Sequence, residues 1–112
     1  FNGYPFAYQH APLTAKVGEL VRIWVVDAGP TRSLAFHVIG AQFTTEYLNG
    51  AYLLKDGTSA GVESGAAQTL PVDPGNGGFV ELRFSEPGTY PFLTHAMADA
   101  VIGATGAFTV TN

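Results

Sequence analysis

Two histidines lie inside strand-like apolar runs of a chain that contains no cysteine: His37 in Leu34-Ala-Phe-His37-Val-Ile-Gly40, and His95 in Thr89-Tyr-Pro-Phe-Leu-Thr-His95-Ala-Met97. Imidazole is the side chain that binds transition metals while neutral and also titrates near neutral pH, so both positions invite metal ligation or proton transfer. The missing thiol narrows that chemistry. It excludes disulfides, Cys-ligated zinc, iron–sulfur clusters, thiol catalysis and any site that depends on a metal–thiolate bond. In an arbitrary β-sandwich a lone strand histidine is more often structural than a ligand, and His10, in Tyr8-Gln9-His10-Ala11-Pro12 of a predicted entry loop, is read that way.

The elements that must position these residues are short. Glycine (14) and proline (7) punctuate the apolar runs, and no segment sustains helical periodicity over three turns, so the 112 residues read as one all-β domain, a sandwich with hairpins and Greek-key connections. Strands are predicted over 13–17, 20–27, 34–40, 43–48, 68–72, 78–85, 88–95 and 105–111. In the second of these, Val21, Ile23 and Val25 alternate with Leu20, Arg22, Trp24 and Val26, and Arg22 marks the more exposed face; Trp24 is read as covering a core end or an interface. Turns are predicted at Ala28-Gly29-Pro30-Thr31 and at Pro74-Gly75-Asn76-Gly77-Gly78. The Gly-, Ser- and Ala-rich stretch 55–67 reads as a mobile surface loop, and Met97-Ala-Asp-Ala-Val101 as one helical turn.

Charge excludes one class of partner. Five Lys+Arg face nine Asp+Glu with no basic cluster, so the electrostatic footprint of nucleic-acid binding is missing. Apolar runs such as Ile23-Trp-Val-Val26 are far too short to span a bilayer. The chain starts at Phe1, which reads as an excised domain or processed product. Glu46 and Asp99 are solitary carboxylates without an assigned role; Glu81 and Glu86 are expected to face solvent or cap a turn, and Met97 to pack.

The run Pro87-Gly88-Thr89-Tyr90-Pro91-Phe92-Leu93-Thr94-His95, followed by Gly103 and Gly106 before a last strand, resembles the penultimate-strand region of cupredoxin domains. Thr94 stands where multicopper oxidases place the Cys of a His-Cys-His tripeptide, and Leu93 stands at its first His, so no mononuclear blue (type 1) copper site can form in this chain. The fuller resemblance is to the C-terminal cupredoxin domain of copper-containing nitrite reductases. It runs through Phe1-Asn-Gly3, Ala15-Lys-Val-Gly18, Gly29-Pro30, Phe36-His37-Val38-Ile39-Gly40, Gln68-Thr69, Val80-Glu81, Pro87-Gly88-Thr89-Tyr90, and His95 before Gly103-Ala104 and Gly106.

That resemblance implies a cupredoxin-like Greek-key β-sandwich spanning 1–112. It implies a type 2 copper shared between subunits of a homotrimer, with His95 as one ligand and the others from the N-terminal cupredoxin domain of a neighbouring subunit. His37 takes the part of the catalytic proton-transfer histidine, Ile39 lies over the metal and shapes nitrite binding, and Thr69 helps orient His37. By family alone the location is extracytoplasmic, and the isolated domain is expected to be inactive. The chain departs from the family at Thr94, where Asp is common, and at Ala96-Met97-Ala98-Asp99-Ala100, where an aromatic, basic segment is common. Two other readings remain: a domain of a two-domain multicopper oxidase, which calls for His-x-His pairs that this chain lacks, and a non-catalytic assembly module with both histidines structural.

Overall fold

The computed structural model describes residues 1–59, 61–63 and 65–112. The elements follow as α1 (Ala7–His10), β1 (Ala11–Lys16), β2 (Val21–Val26), β3 (Leu34–Val38), β4 (Thr45–Leu48), β5 (Ala51–Leu54), β6 (Thr58–Ser59), β7 (Val62–Glu63), β8 (Thr69–Val72), β9 (Gly77–Leu82), β10 (Gly88–Thr94), α2 (Met97–Ala100) and β11 (Thr105–Thr111). One sheet has the order β1-β11-β10-β3-β8, parallel between β1 and β11 and antiparallel elsewhere. The second, antiparallel throughout, has the order β2-β9-β4-β5. The chain passes back and forth between the sheets, and their inner faces meet in a core that includes Phe36, Val38, Leu70 and Phe92 from one and Val80 and Leu82 from the other.

Four elements, β5, α1, β6 and β7, go beyond the sequence expectation. The strand β5 follows Asn49-Gly50, both at positive φ (49° and 90°), which is the two-residue turn that an Asn-Gly pair favours between antiparallel strands. The helix α1 replaces the predicted entry loop around His10. Within 55–67 a short antiparallel hairpin joins β6 to β7; at Ala60 and Ser64 the loop expectation lies outside the described residues.

Alternation in β2 matches the sequence pattern, with Val21, Ile23 and Val25 turned inward and Trp24 outward. Trp24 is 66% exposed and packs on Phe79 at 4.8 Å between ring centroids, so it covers the outer face of the second sheet rather than an end of the core. Two side chains depart from expectation. Glu81 does not face solvent: it lies directly across from Arg22 in the β2–β9 register, is buried, and forms an ion pair with it at 3.0 Å. Met97 is not packed away but 47% exposed at the start of α2.

Glu46 is the buried charge with the largest consequence. It lies opposite Val80 and Leu54, both buried, is itself 5% exposed, and its Oε1 has no hydrogen-bond partner among the described residues. Burial pushes its carboxyl from 4.5 up to about 7. The folded chain thus holds this proton more tightly than the unfolded chain does. The resulting stability is fully present below 4.5 and is lost as pH rises through about 7. A tenfold difference in proton affinity is worth roughly 1.4 kcal/mol, so the effect is about 3 kcal/mol. Urea unfolding should therefore find Glu46→Gln more stable than the parent by about 1–3 kcal/mol at pH 8 and nearly equal to it at pH 4. Equal effects at both pH values would overturn this account.

Candidate metal centre

Strand alternation decides which residues can meet. In β3, Phe36 and Val38 are buried, which turns His37 to the outer face of its sheet; in β10, Phe92 and Thr94 are buried, which turns Leu93 and His95 outward. The register pairs Phe92 with Val38, Leu93 with His37 and Thr94 with Phe36. One residue further, the His95 N–H donates to the Ala35 carbonyl at 2.8 Å. His37 and His95 are therefore diagonal neighbours on one exposed face, and their rings lie 4.8 Å apart between centroids at 43°.

His37 is held from both sides. Leu93 lies opposite it on β10, and Thr69 lies opposite it on β8. Its Nδ1 is hydrogen-bonded to the Gln68 carbonyl oxygen. A carbonyl can only accept, so Nδ1 carries the proton and, in the neutral ring, Nε2 is the free acceptor. The Gln68 main chain thus makes the orienting bond, while Thr69 is the strand partner beside it. Ile39, two residues beyond His37, is 43% exposed, and its N–H donates to the Pro91 carbonyl at 2.8 Å. That contact is one-sided because proline has no N–H to return, and it falls just past the end of β3 at Val38.

Opposite Phe92 on β11 stands a glycine. A Cβ on Gly106 would lie 2.5 Å from the Phe92 ring and 2.6 Å from Tyr8 Cβ, so any larger residue would displace the Phe92 ring and Tyr8 that pack over it. After His95 the chain enters α2, which an Asp99–Arg32 ion pair at 3.1 Å ties to the segment before β3.

The four residues singled out in the sequence thus gather around β3: His37 lies in it, Thr69 is its register partner on β8, Ile39 follows just past its end, and His95 stands one residue past the end of β10 on its other side. His10 lies apart, at the end of α1. Imidazole suits copper, and His95 is exposed with no hydrogen bond to its ring among the described residues, so the donor present fits such a metal. Among those same residues, however, no three His, Cys, Asp or Glu side chains converge. Sequence reasoning missed the Gln68 carbonyl and the Thr94 hydroxyl, which accepts from the Ala35 and Ala96 N–H groups beside His95. The first is a main-chain atom with no residue signature. The second is legible only as an inward-facing polar residue beside an outward-facing histidine.

No protein-family model matches the chain. The copper-containing nitrite reductase of Neisseria meningitidis serogroup A is 33% identical over 98 residues, covering 87% of this chain and 23% of that enzyme. The chain thus spans under a quarter of that relative. Among solved structures, the Cu-containing nitrite reductase (NirK) from Thermus scotoductus SA-01 matches 98% of this chain and 24% of its own, at 28% identity and a TM-score of 0.83. A multicopper oxidase matches 97% of this chain and 35% of its own, at 31% identity and a TM-score of 0.77. Sheet topology, core and likeness together define a cupredoxin-type domain. More particularly, it is homologous to one segment of the copper nitrite reductases.

The His37 hydrogen bond can be tested directly. Imidazole ¹⁵N–¹H correlation spectra of the neutral ring should show the proton on Nδ1 of His37 and none on Nε2. The reverse tautomer would overturn the bond to Gln68.

Proposed function

We propose that this chain is the C-terminal cupredoxin domain of a longer copper nitrite reductase and that it contributes one half of an inter-subunit type 2 copper site. What supports this reading is the exposed pairing of His37 and His95, rings 4.8 Å apart, in a segment homologous to such enzymes. His95 supplies one metal ligand. The remaining ligands come from the N-terminal cupredoxin domain of a neighbouring subunit, in a closed homotrimer located outside the cytoplasm. No type 1 copper belongs to this chain, which has no thiol to hold one.

Reduction of nitrite to nitric oxide and water consumes one electron and two protons. Bound copper supplies the electron and a positive charge that polarises nitrite. The residues of this chain manage protons and shape. His37, its Nδ1–H held by the Gln68 carbonyl, takes a proton on Nε2 and passes it to the nitrite oxygen that leaves as water, the second proton coming from solvent at this exposed face. Thr69, its strand partner, limits the freedom of the ring. Ile39 presents apolar surface to the substrate side and restricts how nitrite sits.

The decisive comparison uses the full-length polypeptide. His95→Ala should lose the type 2 copper while sparing any blue copper elsewhere in the protein. His37→Ala should keep both coppers and lower nitrite turnover by about 10²- to 10⁴-fold, the usual contribution of a positioned acid–base group. Copper counted per chain and turnover measured together test this, and loss of copper on changing His37 would reverse the two roles. The 112-residue chain alone should take up Cu(II) weakly and stay free of intense blue absorption, since it has no thiolate.

A further inference from the structure

Thr94 is 2% exposed, and its hydroxyl oxygen accepts from two main-chain amides. Its Oγ1 accepts from the Ala35 N–H at 3.1 Å and from the Ala96 N–H at 3.1 Å, which uses both lone pairs. In a regular antiparallel ladder, residues facing each other in a narrow pair exchange two N–H···O=C bonds. His95 and Ala35 make one of these, His95 N–H to Ala35 C=O at 2.8 Å. The other donor, Ala35 N–H, goes to the Thr94 side chain instead of to the His95 carbonyl.

We propose that the Thr94 hydroxyl is the positioning group of this site: it substitutes for the His95 carbonyl at the end of the β3–β10 ladder, and so fixes His95 beside His37 where the chain leaves the sheet. The substitution resolves a conflict in the backbone. The chain must turn away after His95 to enter α2, and a carbonyl tied to β3 would hold it in the strand. With Thr94 accepting from Ala35, the His95 carbonyl is released while the His95 N–H stays bonded. The second bond, from Ala96, pins the first residue of the turn, so His95 is fastened on both flanks. Ala35 is also two residues from His37 on the same strand, so one hydroxyl couples the main-chain positions of both imidazoles.

The consequence for metal binding rests on the function proposed above; the positioning itself does not. The test is NMR on the 112-residue chain and its Thr94→Ser and Thr94→Val variants. In the unchanged chain the Ala35 and Ala96 amides should be protected from hydrogen exchange although neither is bonded in a β-ladder, and rapid exchange at both would overturn the proposal. Thr94→Val keeps the shape and removes the acceptor. It should speed exchange at Ala35 and Ala96 by about tenfold or more and abolish contacts between the His37 and His95 rings, with the Val80 and Leu82 amides still protected. Thr94→Ser should restore both. Ring contacts that survive Thr94→Val, or that Thr94→Ser fails to restore, would sink it. Cu(II) broadening of the His95 ring in the unchanged chain reports separately on the metal reading: its absence would count against copper while the exchange and ring-contact data still decide the role of Thr94.

Discussion

The antiparallel pairing of β3 with β10 is the constraint on which the site depends. Phe36, Val38, Phe92 and Thr94 turn inward from these two strands, and the Phe36 and Phe92 rings meet at 5.9 Å. Because side chains alternate with period two, a one-residue slip in either strand would expose its inward set and drive its histidine into the core. Each large apolar side chain brought to water costs about 1.5–3 kcal/mol, and a buried unpaired imidazole adds to that. The hydrophobic core, rather than any bond between the two histidines, therefore places them on the same face.

The two sheets use their outer faces differently. On the first, Thr69, His37, Leu93 and His95 leave a surface with imidazole nitrogens free to act. On the second, Trp24, Phe79, Tyr47 and Tyr52 stand in register across all four strands. Arg22 lies over Phe79 at 4.1 Å while bonded to Glu81. That row buries Phe79 outside the main core and gives Glu81 a partner, which accounts for a carboxylate being tolerated there. Glu46, with an oxygen left unpartnered, has no such compensation, and the pH dependence of stability follows from the contrast.

Much of this arrangement is legible in the residues. Alternation in Val21–Val26 identifies its inner face, and the runs around His37 and His95 are readable as strands because apolar residues flank each histidine. Asn49-Gly50 carries a hairpin signal that the strand pattern alone does not use, and β5 depends on it. The helix α1 spans four residues without a side-chain capping hydrogen bond, too little for periodicity to register. Glu81 defeats a local reading because its partner lies 59 positions away, and only the pairing of β2 with β9 brings Arg22 opposite. The Gln68 carbonyl is of the same kind: register, not residue type, selects it.

On the function proposed above, register also separates the roles of two chemically identical side chains. A backbone carbonyl on Nδ1 orients metal-bound histidines as readily as proton carriers, so the bond from His37 to Gln68 does not by itself divide the work. Position in the sheet does. His37 stands in β3 with β10 on one side and β8 on the other, partly shielded and fixed in tautomer, which suits a group that must receive and release a proton at one nitrogen. His95 stands one residue past the end of β10, where the chain turns into α2, and its ring is exposed. The proposed ligand role, in which donors from another polypeptide join His95, suits that open margin, because an approaching chain can reach the end of a strand without displacing its neighbours.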